Sequence, residues 1–204
     1  MPDVCALVLA AGEGRRFDPT GDAWKLAAPL PDGRPVLRAA CEALVGVVDE
    51  IVVVCGSRCE LAEAILAGLP VRLVACPDAG LGMGASLRHG VSETRPRLGW
   101  LVALGDMPFV SPGTHAAVRA RLLAGAAIAR PVFEGRPGHP VAFSADQRPA
   151  LLAIGDESGA ARLLRDRADL VETVPCEDPG CVADVDRPSD IPAALPSGSP
   201  SRAE

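Results

Sequence analysis

A chain of 204 residues with 49% hydrophobic and 23% charged residues has the size and balance of a globular protein with a substantial core. Its formal net charge of -6 speaks against a nucleic-acid-binding surface, which carries a basic excess, but leaves room for a local basic pocket. No apolar run reaches the ~20 residues of a membrane helix, and the start at Met1-Pro2-Asp3 lacks the basic and apolar stretches of a signal peptide. The expected location is therefore cytoplasmic. The seven cysteines include no Cys-x-x-Cys pair and read as reduced, behaving as small apolar residues.

In chain order, short apolar runs at Val4–Ala10, Glu50–Cys55, Val71–Ala75, Trp100–Leu104 and Ala127–Val132 read as strands. The stretches Pro35–Val45, Arg58–Ala67, Ala85–Ser92 and Pro112–Ala124 between them carry apolar residues at helical spacing. Alternation of this kind predicts parallel strands with crossover helices, and continuous hydrophobic runs suit strands covered on both faces. Further on, Val141–Phe143 and Leu170–Pro175 read as strands and Ser158–Arg165 as a helix. One domain is expected over 1–192. From 193 to 204 Pro, Ser and Gly dominate, the composition of a disordered tail.

The first strand runs into Leu9-Ala10-Ala11-Gly12-Glu13-Gly14-Arg15-Arg16. Glycines after a strand allow backbone N–H groups to ring an anion, and arginine's planar fork suits phosphate. A tight turn with glycines for geometry alone is an equal reading of Gly-x-Gly. The loop is neither a dinucleotide fingerprint, since Phe17 stands at the sixth position, nor a P-loop, since Trp24 and Leu26 flank Lys25. Lys25 lies beyond the polar stretch Asp18–Asp22, whose folding back would bring its amine to a phosphate; alone it reads as a solvated lysine.

Asp106, in Gly105-Asp106-Met107-Pro108, follows a strand, at the edge where ligands of open parallel sheets collect. A carboxylate there suits Mg²⁺, and Ser111 rather than Asp106 is the better cap for the next helix. Near the C-terminus, Val182 and Val185 would point inward on a short strand, leaving Asp184 and Asp186 on the other face. Asp186 would then complete the Mg²⁺ site, and Asp190 would cap a brief helix starting near Ile191. In Asp78-Ala79-Gly80-Leu81-Gly82-Met83-Gly84-Ala85-Ser86, three glycines before a helix make a loop able to pass close to a ligand. Spacing alone gives no role to His139 in Gly138-His139-Pro140.

Together these segments, with Gly155-Asp156, Gly159-Ala160 and Asp184 to Asp190, resemble the molybdenum cofactor cytidylyltransferase branch of the MobA-like nucleotidyltransferases over nearly the whole chain. The resemblance implies a Rossmann-like three-layer α/β sandwich with a mostly parallel sheet, of the nucleotide-diphospho-sugar transferase type. It implies transfer of CMP from CTP to the terminal phosphate of molybdopterin, forming molybdopterin cytosine dinucleotide and pyrophosphate. Leu9, Ala10, Ala11, Gly12, Gly14, Arg16 and Lys25 would hold the triphosphate, with Asp78, Gly80, Gly82 and Ser86 at the base and ribose. Arg16, Lys25 and Asp106 would be catalytic, Asp106 and Asp186 would ligate Mg²⁺, and Gly138, His139 and Pro140 would face the acceptor. A molybdoenzyme or its chaperone would receive the product.

Guanylyl relatives read Leu-Ala-Gly-Gly at the first loop, so Ala11 points to the cytidylyl branch. The chain departs from the family in its long excursion between Phe17 and Lys25, in the expanded Gly155–Arg162 element, and in Arg187 where threonine is usual. Open alternatives are GTP as donor, another phosphorylated acceptor such as a sugar phosphate, and a non-catalytic carrier of the cofactor.

Overall fold

A computed structural model of the chain describes residues 1–20, 22–157 and 159–192; the tail expected at 193–204 lies outside them. Its strands are β1 (Val4–Ala10), β2 (Glu50–Cys55), β3 (Val71–Ala75), β4 (Gly99–Leu104), β5 (Ile128–Phe133), β6 (Arg136–Pro137), β7 (Val141–Ser144) and β8 (Val171–Pro175). They form one sheet in the order β3-β2-β1-β4-β7-β5-β6, with β8 on the other side of β5. β1 runs parallel to β2 and β4, and β2 to β3. β7 is antiparallel to both β4 and β5, while β8 is parallel to β5. The sheet is thus mixed but mostly parallel. β5 and β6 form a hairpin whose turn, Glu134-Gly135, has positive φ at both residues, the twist that two-residue hairpins favour.

The helices are α1 (Val36–Glu42), α2 (Cys59–Leu66), α3 (Met83–Ser92), α4 (Pro112–Leu123), α5 (Arg148–Leu152) and α6 (Ala161–Asp166). Along β1 the side chains alternate between two cores. Val4, Ala6 and Val8 join Leu37 of α1, Leu66 of α2 and Val118 of α4. Cys5 and Leu7 join Leu87 and Val91 of α3, Leu151 of α5 and, at the margin, Leu163 of α6. Two helical layers therefore cover the sheet, the three-layer α/β sandwich that the family resemblance implies and an elaboration of the layered α/β fold that the alternating pattern predicts. Burial on both faces explains why β1, β2 and β4 read as unbroken apolar runs.

Three local features depart from expectation. α5 is unannounced by periodicity and starts at Arg148-Pro149, with proline in the first turn, where its missing N–H costs nothing. α3 starts at Met83 rather than Ala85, because Gly82 supplies the φ of +134° ahead of it. The cysteines at the β2–α2 turn are not both reduced: Cys55 ends the strand, Cys59 opens the helix, and the turn brings their Cα atoms to 5.1 Å in a disulfide, a separation within the usual range for that bond.

Candidate active site

The loop leaving β1 is closed by its own turn and tied to the core by Trp24. Phe17 and Asp18 donate their amides to the Gly14 carbonyl at 2.8 and 3.1 Å, closing a turn at Gly14, whose φ is +71°. The excursion that follows is self-contained. Asp18 accepts the Ala23 amide at 2.7 Å and both the amide and hydroxyl of Thr20 at 2.8 and 2.7 Å; these bonds, with Ala23's first, pull its carboxyl down to about 2. That knot delivers Trp24 into the core, 4% exposed, where its indole Nε1 donates to the Gly12 carbonyl at 3.0 Å. The residue after the anchor is Lys25, and its Cγ would lie 3.2 Å from a Cβ placed on Gly14. Loop and lysine are therefore one unit, joined through Trp24.

Lys25 reaches across the cleft. Its Nζ lies 2.6 Å from Asp106 Oδ2 and 2.9 Å from Asp186 Oδ1, while Arg16 Nη1 lies 2.6 Å from Asp186 Oδ2. Burial weighs against the charged amine of Lys25, but Asp106 and Asp186 outweigh it and shift its pKa upward. Burial likewise opposes the charge on Asp186, yet Lys25 and Arg16 bring its carboxyl below the ordinary range. Asp184 is raised, first by burial and then by the charges of Asp186 and Asp106.

Asp106 stands just past β4, where Gly105 donates to the Leu9 carbonyl at 2.9 Å. A Cβ on Gly105 would come 3.1 Å from that same oxygen, so the strand ends of β1 and β4 lie close together. Asp186 arrives by a different route from the expected strand. A 3-10 turn covers Pro179–Val182, and residues 183–187 belong to no strand. Val185, fully buried, anchors them by donating its amide to the Asp106 carbonyl at 2.8 Å. The inward valine still leaves the aspartates on either side facing the cleft. Asp190 does not cap a helix at Ile191; its carboxylate accepts the amides of Asp186 and Arg187 at 2.9 and 2.7 Å and fixes the bend after Asp186.

Asp106, Asp184 and Asp186 each offer an oxygen within 4.8 Å of the others. Hard carboxylate oxygens converging in this way suit Mg²⁺ or Mn²⁺, with bound phosphate and water to complete the coordination. Asp184 is the member that sequence patterning did not select, although its alternation with Asp186 about Val185 was a visible signal.

These residues edge a cleft of about 910 Å³, ample for a nucleotide. Leu9, Ala10, Ala11, Gly12, Gly14, Arg16, Lys25, Gly80, Gly82, Ser86, Asp106 and Asp186 all line it. So do Gly56, Ser57 and Cys76, which carry no motif of their own and follow the ends of β2 and β3, and Met83, the first residue of α3. The loop over Gly80–Gly84 is locked from behind. Gly84 donates to the Asp156 carbonyl at 2.7 Å, and Arg88 grips both the Ile154 carbonyl, at 2.8 Å, and the Asp156 carboxylate.

Other expected site residues stand elsewhere. Asp78 lines a separate depression with Arg88 and His89, because the 3-10 turn at Ala79–Leu81 turns the chain after it. Gly138, His139 and Pro140 do not line the cleft. Gly138 is packed against Cys181, whose carbonyl would be 2.3 Å from an added Cβ; that carbonyl accepts the His139 amide at 2.8 Å. Burial and then the charge of Arg130 depress His139 to about 4. The imidazole is therefore neutral, and its enclosed Nδ1 has no hydrogen-bond partner among the described residues.

Nicotine blue oxidoreductase of Paenarthrobacter nicotinovorans is 32% identical over 195 residues, covering 91% of this chain and 93% of that protein. Among solved structures, a nucleotidyl transferase from Methanothermobacter thermautotrophicus superposes with a TM-score of 0.78 at 28% identity, over 92% of this chain and 93% of its own. Rv0371c of Mycobacterium tuberculosis H37Rv, in complex with manganese, superposes with a TM-score of 0.76 at 25% identity, over 92% and 95%. The MobA-like NTP transferase domain matches residues 6–172, and with its loop, cleft and sheet in place the chain belongs to that family of nucleotidyltransferases.

Proposed function

We propose that this chain transfers CMP from CTP to the terminal phosphate of molybdopterin, releasing pyrophosphate and forming molybdopterin cytosine dinucleotide. The observation that carries the reading is the meeting of Lys25 and Arg16 with Asp106 and Asp186 at the open end of the glycine loop. These cations and the glycine loop line a cleft large enough for a nucleoside triphosphate, beside carboxylates suited to a divalent metal.

The chemistry asks little covalent help. The acceptor phosphate, with a second pKa of ~6, is already an anion near neutral pH, so its oxygen attacks the α-phosphate without a general base. The bond to the pyrophosphate oxygen breaks as the new phosphoanhydride forms. The obstacle is repulsion between two anions. Arg16, Lys25 and the amides of the loop lower it and offset the charge growing on the departing pyrophosphate. Asp106, Asp184 and Asp186 would hold Mg²⁺, which when bound supplies further neutralisation of the phosphates. The reaction belongs in the cytoplasm, and a molybdoenzyme or its chaperone would take the product.

The pyrimidine preference is supported at one end of the cleft. A Cβ on Gly56 would meet the Ala11 carbonyl at 3.1 Å and Ala79 Cβ at 3.2 Å, so Ala11, Gly56 and Ala79 are already close-packed. A methyl at Ala11 would narrow the space beside the base, which suits a pyrimidine better than a purine.

Pyrophosphate release, screened with CTP, GTP, ATP and UTP against molybdopterin and several sugar phosphates, tests the reading. Release with CTP and molybdopterin, abolished by EDTA, is expected. Equal use of GTP, or release only with a sugar phosphate, would replace it, and a carrier would give no release at all. A second reading is oxidoreduction, favoured by the name of the 32% identical P. nicotinovorans protein. The Gly-x-Gly loop with Phe17 at the sixth position lacks the dinucleotide fingerprint, which weighs against it. Oxidation of NADH or NADPH by candidate dyes, with no pyrophosphate formed, would favour it.

A further inference from the structure

Lys25 stands between two kinds of partner, the carboxylates it rests on and any anion that enters the cleft along the glycine loop. Its stem packs along Gly14 in the glycine loop, which lines the cleft, while its ammonium rests on Oδ2 of Asp106 and Oδ1 of Asp186. Arg16 takes the other oxygen of Asp186. Three of the four oxygens on these two carboxylates are thus engaged by protein cations. A divalent metal would draw on the same oxygens, and an ammonium and a metal ion compete for them by simple electrostatics.

The side chain is 10% exposed, so water is a poor alternative for its charge. An anion entering the cleft therefore competes with the carboxylates for the ammonium. An arriving triphosphate provides that anion, and Lys25, with its flexible four-carbon stem and rotatable donors, is the residue type able to swing between the two.

We propose that Lys25 is an exchangeable counter-ion. Without substrate it neutralises the acid cluster; a triphosphate draws it away and opens Asp106 and Asp186 to a divalent cation. Metal and triphosphate then bind with positive coupling, each favouring the other as linkage requires, and the charged pocket is never left bare. The proposal rests on the nucleotidyl-transfer reading of this cleft, but its probes carry neither base nor acceptor, so an error in CTP or molybdopterin leaves it testable.

The first test is Mn²⁺ binding to the full chain without nucleotide, followed by the paramagnetic resonance of the free ion. Lys25→Met is expected to bind Mn²⁺ about ten-fold more tightly than wild type, and Lys25→Arg, which keeps the charge, is expected to match wild type. Adding Asp106→Asn to Lys25→Met should cancel the gain. Equal or weaker Mn²⁺ binding by Lys25→Met, including no binding by either protein, overturns the proposal.

The second test needs no lysine variant. With EDTA present, Asp106→Asn should bind inorganic triphosphate several-fold more tightly than wild type, because the ammonium is partly released from its carboxylate. Unchanged or weaker binding of inorganic triphosphate overturns the proposal as well. The pyrophosphate-release screen, in contrast, judges the substrate reading on its own.

Discussion

Val185 donates its amide to the carbonyl of Asp106 at 2.8 Å, and this one backbone bond brings together carboxylates separated by eighty residues of sequence. Asp106 is set by the end of β4 and Asp186 by an irregular segment with no strand of its own. The buried Val185 side chain fixes the depth of that segment, and the amide fixes its register against Asp106. The acid cluster is thus a product of backbone geometry before any charge is considered.

Asp106→Ala should therefore abolish turnover while leaving the fold in place, since the backbone bond to Val185 survives the substitution. A fall of ~10²–10³ in the rate of pyrophosphate release is the expected scale for losing one electrostatic group at a transfer site, and loss of a metal ligand can exceed it. Circular dichroism and the melting temperature should stay close to wild type. A near-normal rate would remove Asp106 from the metal site.

Trp24→Phe tests the tether between the glycine loop and Lys25. It keeps the ring in the core but loses the indole bond to Gly12, a loss of roughly 0.5–1.5 kcal/mol. The loop carbonyl and the position of Lys25 both loosen, so KM for the nucleotide should rise more than kcat falls. Steady-state kinetics over a range of nucleotide concentrations reads this directly.

Gly84 and Gly80 lie four residues apart in one loop and should respond in opposite ways. A Cβ on Gly84 would sit 1.8 Å from the Gly155 carbonyl oxygen, whereas one on Gly80 meets nothing within 4 Å. Gly84→Ala must push the Gly155-Asp156 segment off the start of α3 and should cost several kcal/mol on the scale of overpacking. Gly80→Ala should leave the denaturation midpoint unchanged. Parallel urea titrations of the two variants make the comparison.

Acid should destabilise the fold through a histidine remote from the cleft. Burial depresses His115 to about 4, with Asp178 opposing only in part. Its folded value lies below the unfolded one, so the unfolded chain takes up the proton first. The stability it contributes is fully present above about 6.5 and drains away as the pH falls toward 4. Between pH 7.5 and 5 the loss is ~2 kcal/mol from this residue; His139, also lowered to about 4, acts in the same direction. Chemical denaturation at the two pH values should show a smaller loss for His115→Asn than for wild type.

Much of the fold was legible because burial on both faces writes itself as unbroken apolar runs, and β1, β2 and β3 keep the ends that their runs predict. The antiparallel β7 and the short α5 leave weaker marks, since four or five residues cannot display a period. At the site, the glycine loop and Asp106 stand at strand ends, where local sequence suffices to find them. Trp24 was not legible as the tether of the loop, because its bond to Gly12 depends on how the excursion through Asp18 closes. Asp184 shared the visible alternation about Val185, but the segment is an irregular one with no strand of its own, so the pattern gave its face and not its place in the acid cluster. Asp78 and His139 stand outside the cleft lining, placed there by a 3-10 turn and by packing that adjacency to a motif does not show.

The route by which Asp186 reaches Asp106 has a topological consequence. The nucleotide loop, Lys25 and Asp106 are all supplied by the first half of the fold, yet the acid cluster closes only after β8 has been laid down and the chain has crossed back over the sheet. A cut anywhere between β8 and Val185 would leave a cleft with its cations intact and its carboxylates incomplete. On the proposed reading, a molecule that loses this segment would still attract a triphosphate but could not turn it over, and a catalyst would become a trap.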